Sequence, residues 1–567
     1  MAILPFVLVG PALCAALAAL YYASRRRARS SLAYIRGPTS ESFLFGNYRQ
    51  IRRGQVGEVD FEWQDRYGAL LRFKAPFGED RLMVSDPKAI QHIFQTNQTN
   101  YTQPPQDREV LRTLLGPGIA WADADTHRRH RKVMTPAFGV AQAKSLIPLF
   151  KATIGRLTSK WSDMISGDAD DTCHQPPSSR VINLPQWINR ASLDIIGEAA
   201  FGYDIGALDD LDSELGKAYE NMTLEAFALP TTLGVLAQGC MHLLPPAAVR
   251  FLFDHIPNRG LDRLRGVKRV VEHVAESLVT EEKGVHGLDT TRGGMGKAKG
   301  GDLLSLLINA NASHTEGSKL SREEMLAQIS TVMFAGHDTT AATLSFALYE
   351  LAKHQECQTR LRDEIRAAIA RGAADIDDTD ADAWVRVVES LPYLNGVLKE
   401  VMRLHPVGYH INRQPRTDDV IPLSKPIVTS EGRQISEVVI PAGTKIIVSI
   451  AGYHRNKDVW GPDAHVFRPE RWLEESGGLQ MKGSPGVGMY ANLMTFSGGF
   501  RSCMGWRIAL LELQTFLFDL VDQFHFGLTK DAMRLRREPC LVMAPMVEGQ
   551  TDKGAQLPLQ VSIAPRD

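Results

Sequence analysis

The sequence predicts a mainly α-helical protein with a minor β-sheet region, preceded by one transmembrane helix. Three features carry that reading. Long segments, above all SREEMLAQISTVMFAGHDTTAATLSFALYELAKH at 321–354, repeat apolar residues three and four apart. Strand-like runs are few and short, as in LLRFKAP (70–76) and RLMVS (81–85). Residues 2–23 carry no charged side chain.

That N-terminal stretch, AILPFVLVGPALCAALAALYYA, covers 22 positions. At about 1.5 Å per residue it makes a helix of roughly 33 Å, enough to cross a hydrocarbon core of about 30 Å. Pro5, Gly10 and Pro11 weaken it somewhat. A cleaved signal peptide would have a basic start and a shorter apolar region, whereas here Arg25, Arg26, Arg27 and Arg29 follow the span. Positive charge stays in the cytosol. Residues 1–24 are therefore expected to form a single membrane anchor, 25–45 a basic and Gly/Pro hinge around Gly37 and Pro38, and 46–567 one cytosolic catalytic domain. The sequons at Asn97, Asn100, Asn221 and Asn311 then meet no glycosylation machinery.

Within the body, 143–166, 187–202 and 260–280 read as further helices. Three breaker segments separate the blocks: 167–179, 283–301 with seven glycines, and 476–488. The composition, 44% hydrophobic and 23% charged, is that of an ordinary globular enzyme. Lys plus Arg (64) nearly equals Asp plus Glu (65), so no global field holds a polyanion and nucleic acid is excluded as a partner. The cysteines at 14, 173, 240, 357, 503 and 540 form no CxxC pair, which fits neither a disulfide framework nor a zinc site.

Four short motifs carry chemistry. Cys503 sits in FSGGFRSCMGWRIA (496–509), wrapped in glycines and an arginine and followed at once by an apolar helix. A structural cysteine acting as a small hydrophobe needs none of that company. In AGHDTT (335–340), Ala335 and Gly336 either mark a helix crossing, with the threonines bonded to their own backbone, or leave a space beside the helix. Into that space Asp338 and Thr339 would put an acid and a hydroxyl able to deliver protons. Glu400 and Arg403, at i and i+3 in LKEVMRLHP, are by themselves a helix salt bridge worth little. FRPERW (467–472) supplies Arg471 among aromatic residues.

Taken in order, these motifs resemble those of the cytochrome P450 family, the haem-thiolate monooxygenases, across nearly the whole chain. The pattern F-x-x-G-x-R-x-C-x-G is met by Phe496, Gly499, Arg501, Cys503 and Gly505, and ExxR by Glu400 and Arg403. The resemblance implies a P450-type fold, Arg471 as the third member of a Glu-Arg-Arg structural triad, and haem b with Cys503 as axial ligand of the iron. A thiolate there pushes electron density to favour O–O cleavage. It must stay deprotonated, helped by the N-terminus of the helix beginning near Cys503, while Gly498 and Gly499 let the backbone approach the macrocycle. Arg501, Arg131 and Arg413 would meet haem propionates, with Arg416 a near rival to Arg413. His127 stands where the family has a tryptophan, four residues before Arg131; it either donates to a propionate or sits on a polar helix face. Ala335 and Gly336 would adjoin the haem, and Asp338 and Thr339 would deliver protons.

The implied activity is that of a monooxygenase of the endoplasmic reticulum membrane. It would use O2 and electrons passed from NADPH by a separate flavoprotein reductase, since the chain holds no flavin or dinucleotide motif. Phe334, Val407, Gly408 and Tyr409, with the stretches LLGPGIAW and CLVMAP, would line the substrate pocket, and their apolar character points to an apolar small molecule. The AGHDTT helix and long loops are similar to fungal microsomal members, which implies secondary metabolism, terpenoid tailoring included. Segment 227–253, without acidic residues, reads either as a second contact with membrane lipid or as a buried helix plus loop. Two other functions stay open. A haem-thiolate isomerase or peroxygenase needing no reductase is disfavoured by the Asp338–Thr339 pair, and a non-catalytic haem or lipid-binding protein would have no reason to combine that pair with a thiolate.

Overall fold

The computed structural model describes residues 32–566 except 168–178, 211–212, 229, 287–304, 306, 309–310, 312–318, 378–379 and 475–484. The expected anchor, the start of the hinge and most of the three breaker segments lie outside the described residues. Among the described residues no helix is long and apolar enough to cross a membrane.

The body is mainly helical with minor sheets. Its principal helices are α1 (Pro105–Leu115), α2 (Ala124–Met134), α3 (Ile147–Ser166), α4 (Leu184–Phe201), α5 (Met222–Phe227), α6 (Arg259–His286), α7 (Arg322–Lys353), α8 (Gln355–Ala370), α9 (Pro392–Leu404), α10 (Ile450–His454) and α11 (Trp506–Gln523). With 32 residues, α7 is about 48 Å long, and residues all round it are buried from Met325 to Ala352. Such a helix belongs inside a protein, and α4, α6, α9 and α11 all pack on it. Its start is fixed by a capping box, in which the Ser321 hydroxyl accepts from Glu324 N–H (3.1 Å) and Glu324 Oε2 accepts from Ser321 N–H (2.9 Å). Glu324 also binds Arg129 (2.5 Å) and His130 (3.0 Å), which clamps α2 to the start of α7.

The reading of 143–166 as one helix needs correction. A short helix, Val140–Ser145, ends before Leu146, and α3 begins at Ile147 with Pro148 in its first turn, where a missing N–H costs nothing. Strands β1 (Leu70–Lys74), β2 (Asp80–Val84), β3 (Tyr101–Thr102), β4 (His410–Pro415) and β5 (Ile446–Ser449) form a sheet in the order β1-β2-β5-β4-β3, with β2 and β5 parallel. A hairpin of β6 (Leu535–Glu538) and β7 (Ala544–Val547) lies late in the chain. The described end of the 25–45 stretch docks on β1. Ile35 is buried, Arg72 N–H donates to Arg36 O (3.0 Å), and a Cβ on Gly37 would fall 1.6 Å from Arg72 O.

Segment 227–253 forms most of two short helices, Thr232–Met241 and Pro246–His255, but not a buried pair. Leu233 is 74% and Phe251 61% exposed, which overturns the buried-helix alternative for this stretch.

The clamp at Glu324 has a pH signature. Burial pushes its carboxyl up, but hydrogen bonds from Arg129, Ser321 N–H and His130 hold it down at about 2. A depressed acid stabilises the fold above its unfolded value, about 4.3, and that contribution fades as pH falls through the folded value. The melting-temperature gap between wild type and Glu324→Gln is expected to stay constant from about pH 7 to pH 5 and to shrink below about pH 4. A gap that ignores pH throughout would show that the charge of Glu324 contributes nothing.

Candidate functional site

The loop before α11 is built around Cys503. Ser497 and Gly499 take positive φ, 58° and 66°. A Cβ on Gly499 would sit 1.8 Å from Phe94 O, so only glycine fits. Within the protein, the crowding at Gly499 comes from Phe94 O, and that at Gly498 from Val487 O (2.4 Å). Phe500 N–H donates to Gln98 Oε1 (2.9 Å), and Cys503 N–H donates to Phe496 O (2.9 Å). From α2, Arg131 donates to Ser502 O (2.7 Å) and Ser502 Oγ (3.1 Å), bracing the residue before the cysteine. Burial pushes the Cys503 thiol up overall, an effect that Gly505 N–H and the Arg131 charge partly offset.

Beneath this loop lies a buried ionic network. Glu400 accepts from Arg403 Nε (2.9 Å) and Nη2 (2.8 Å), Arg471 Nε (3.4 Å), Trp472 Nε1 (3.0 Å) and Arg468 N–H (3.0 Å). The side chains of Glu400, Arg403 and Arg471 are 0% exposed. Arg403 Nη1 also grips His454 O (2.7 Å) and Ala464 O (2.6 Å). His454 in turn accepts Met494 N–H at Nε2 (2.8 Å), and Thr495 Oγ1 donates to Met402 O (3.2 Å). Through those two bonds the network holds the start of the cysteine loop.

Opposite, α7 carries an exposed Ala335 between long runs of buried residues. Cys503 is likewise exposed although protein crowds it on all sides, so its free surface faces an internal cleft. Met504 packs against the apolar cluster that contains Phe334, Val407 and Val542, which brings the loop, α7 and the 407 and 542 segments to one place. Gly336 does not leave space there as expected: a Cβ on it would strike Ile196 of α4 at 2.5 Å, so this glycine serves helix packing. Thr339 is half-buried and donates to Ala335 O (2.9 Å). Burial pushes the Asp338 carboxyl up, and Thr223 of α5 donates to it (3.4 Å). Gly408 has open space around it, while Tyr409 belongs to the neighbouring main core, its hydroxyl donating to Cys540 O (2.8 Å).

The rim is strongly cationic. Asp123 receives Arg501 (2.7 Å) and Arg416 (3.0 Å) and has Arg108 at 3.9 Å. Arg413 is buried against the Phe94 ring, 4.9 Å away, and burial with the nearby Arg501 pushes it down to about 9. His127 is buried, not on a polar helix face, and burial together with Arg501 and Arg131 pushes it down to about 3, leaving it neutral. Arg501 Nε, His127 Nδ1 and Trp121 Nε1 are buried without hydrogen-bond partners among the described residues.

Residues 36–548 match the family described as Cytochrome P450. The chain belongs to the cytochrome P450 family. It is 31% identical over 537 residues to Cytochrome P450 monooxygenase claO of Ampulloclitocybe clavipes, covering 93% of this chain and 92% of that one. It is 32% identical over 545 residues to Cytochrome P450 monooxygenase 128 of Postia placenta, covering 94% and 93%. This P450 is a monooxygenase whose cofactor is haem iron with a thiolate ligand, and in the family electrons typically come from NADPH through a reductase.

The residues present fit that cofactor. One cysteine thiol faces the cleft, and the rim offers surplus arginine charge and unpartnered N–H groups suited to two propionates. Sequence reasoning put Trp121 only in the pocket stretch LLGPGIAW and missed Asp123, Ser502, Gln98 and His454. Trp121 was visible six residues before His127; His454, 51 positions beyond Arg403, carried no local signal.

Removing one partner from a buried ion pair leaves the other uncompensated, at a cost of about 3–5 kcal/mol. Glu400→Ala and Arg403→Ala are therefore expected to melt well below wild type and to purify with little haem. Full haem content with unchanged melting in either variant would show that the network does not hold the loop.

Proposed function

We propose that this P450 is a membrane-anchored enzyme that hydroxylates or otherwise oxidises an apolar small molecule, fed one electron at a time by a separate flavoprotein reductase. The observation that carries this reading is the juxtaposition of a rigidly held cysteine with an apolar cleft on α7. When bound, haem with a thiolate ligand supplies the activation of O2. Cys503 is the ligand, and Arg131, Arg413, Arg501 and His127 bind and orient the propionates. Phe334, Val407 and Val542 exclude water and select an apolar substrate.

Asp338, favoured in its neutral form by burial, is able to donate a proton. Thr339 already gives its own proton to Ala335 O, so its oxygen accepts from a water and holds it in the cleft. Residues 2–23 anchor the chain in the endoplasmic reticulum membrane with the body in the cytosol. Exposed Leu233 and Phe251, with Phe43 (63% exposed) and Leu44 (48%), support a second lipid contact. The fungal origin of the relatives supports a place in fungal secondary metabolism, with terpenoids the first substrates to screen.

Product formation is measured with purified reductase and NADPH. Turnover that needs both supports the proposal, and turnover with peroxide but none with reductase supports the peroxygenase reading instead. In Thr339→Ala, haem content is expected to stay whole and NADPH consumption to continue, while product per NADPH falls by up to the roughly 10²–10⁴-fold of general acid catalysis. Product per NADPH equal to wild type would remove Thr339 from proton delivery.

A further inference from the structure

Away from the haem cleft, a second cavity of about 240 Å³ lies between Gln55, the last turn of α7, the end of α9, Arg455 and β6. Its wall is polar and mainly cationic. The side chain of Arg455, just past α10, makes one hydrogen bond among the described residues, from Nη2 to Leu404 O (2.8 Å), and lies over the Phe61 ring at 4.8 Å. No carboxylate pairs with it among the described residues. Arg537 on β6 is tied through its backbone, its N–H donating to Gln55 Oε1 (3.2 Å) and its carbonyl accepting from Val56 N–H (3.0 Å). Its guanidinium has no partner among the described residues. Lys353 reaches Glu350 only at 3.9 Å, with its side chain 49% exposed.

The carboxylate in this wall is engaged through one oxygen, Oε2 being buried without a hydrogen-bond partner among the described residues. Glu350 Oε1 binds His405 Nε2 (2.7 Å), and Oε2 has His354 Nε2 at 3.4 Å. His405 and His465, pushed down to about 4 chiefly by burial, add no charge at neutral pH. Among the residues that line the cavity, Arg455, Arg537 and Lys353 against Glu350 leave two positive charges in excess, with Glu400 acting on Arg455 and Glu58 and Asp60 on Arg537 from outside the lining. Burial, then the Arg537 and Arg403 charges, push Arg455 down to about 9 against the opposing pull of Glu350 and Glu400.

We propose that this cavity is a phosphate-binding site, with Arg455 and Arg537 as the forked donors and Lys353 at the mouth. The planar guanidinium fork matches phosphate bidentately. A phosphate monoester carries about −1.5 to −2 at pH 7, which matches a surplus of two, whereas a carboxylate leaves one cation unmet. The phosphate belongs either to a soluble metabolite or to a lipid headgroup. Because Leu404 follows Arg403 and Arg455 follows His454, the bound anion braces the network under the cysteine loop and raises the melting temperature of the holoenzyme.

The test uses full-length, haem-loaded protein, with inorganic phosphate titrated at constant ionic strength set by chloride. A saturable rise in melting temperature is expected. In Arg537→Gln the half-saturating phosphate concentration is expected to rise at least about tenfold. Lys353→Gln, half exposed and tolerant of change, shows a smaller rise in the same direction and keeps the test valid when the first variant folds poorly. Vesicles of phosphatidylcholine with and without phosphatidic acid separate the sources. A rise specific to phosphatidic acid and lost in Arg537→Gln assigns a headgroup, and a response to free phosphate alone assigns a soluble ligand. No saturable response to phosphate or phosphatidic acid, or equal responses in wild type and both variants, overturns the site.

Discussion

Glu400 has no access to water and accepts from two arginines, an indole and a backbone N–H, a set of donors that only one arrangement of α9 and the 468–472 segment can supply. A buried carboxylate left short of any of these partners is strongly destabilising, so the network specifies geometry as much as it adds stability. Arg403 carries that geometry outward by fixing His454 O, and His454 passes it to Met494 N–H. Ten residues beyond Phe496 the helix start at Trp506, its Gly505 cap and Arg131 complete the frame in which Cys503 stands. The position of the sulfur is set by charges that never touch it.

The same logic explains the two cationic regions. Asp123 cannot neutralise the arginines that gather on the rim, and the remaining positive charge suits the propionates of the family's haem. On another side of the Glu400 network, Arg455 and Arg537 face a cavity without a carboxylate to spare. Both regions keep guanidinium groups buried or half-buried without a protein anion, an arrangement that an anionic ligand stabilises.

Much of this was legible because the chemistry is local in sequence. The glycine-wrapped cysteine and the Glu-Arg pair one helical turn apart each announce themselves within a few residues. The long α7 was equally plain, its apolar pattern running round the helix behind a Ser-x-x-Glu start. What the sequence hid depends on contacts across the fold. Gly336 is small because of Ile196, and Gly499 because of Phe94 O, more than 100 and 400 positions away. His454 looked like any histidine until the carbonyl held by Arg403 and the ring nitrogen held by Met494 N–H were seen together. The break before α3 was a matter of weighting, since Pro148 marks a helix start as readily as it interrupts one.

We propose that this network delivers one sulfur, that of Cys503, to the haem iron. The measurement that reaches it most directly is the absorption spectrum of the reduced, carbon-monoxide-bound protein in wild type and Cys503→Ser. The wild type should show the thiolate-type band, and the serine variant should lose that band together with oxygenase activity while keeping its fold by circular dichroism. A Cys503→Ser protein that retains both the band and the activity would contradict the account, because the ligand would then be another residue.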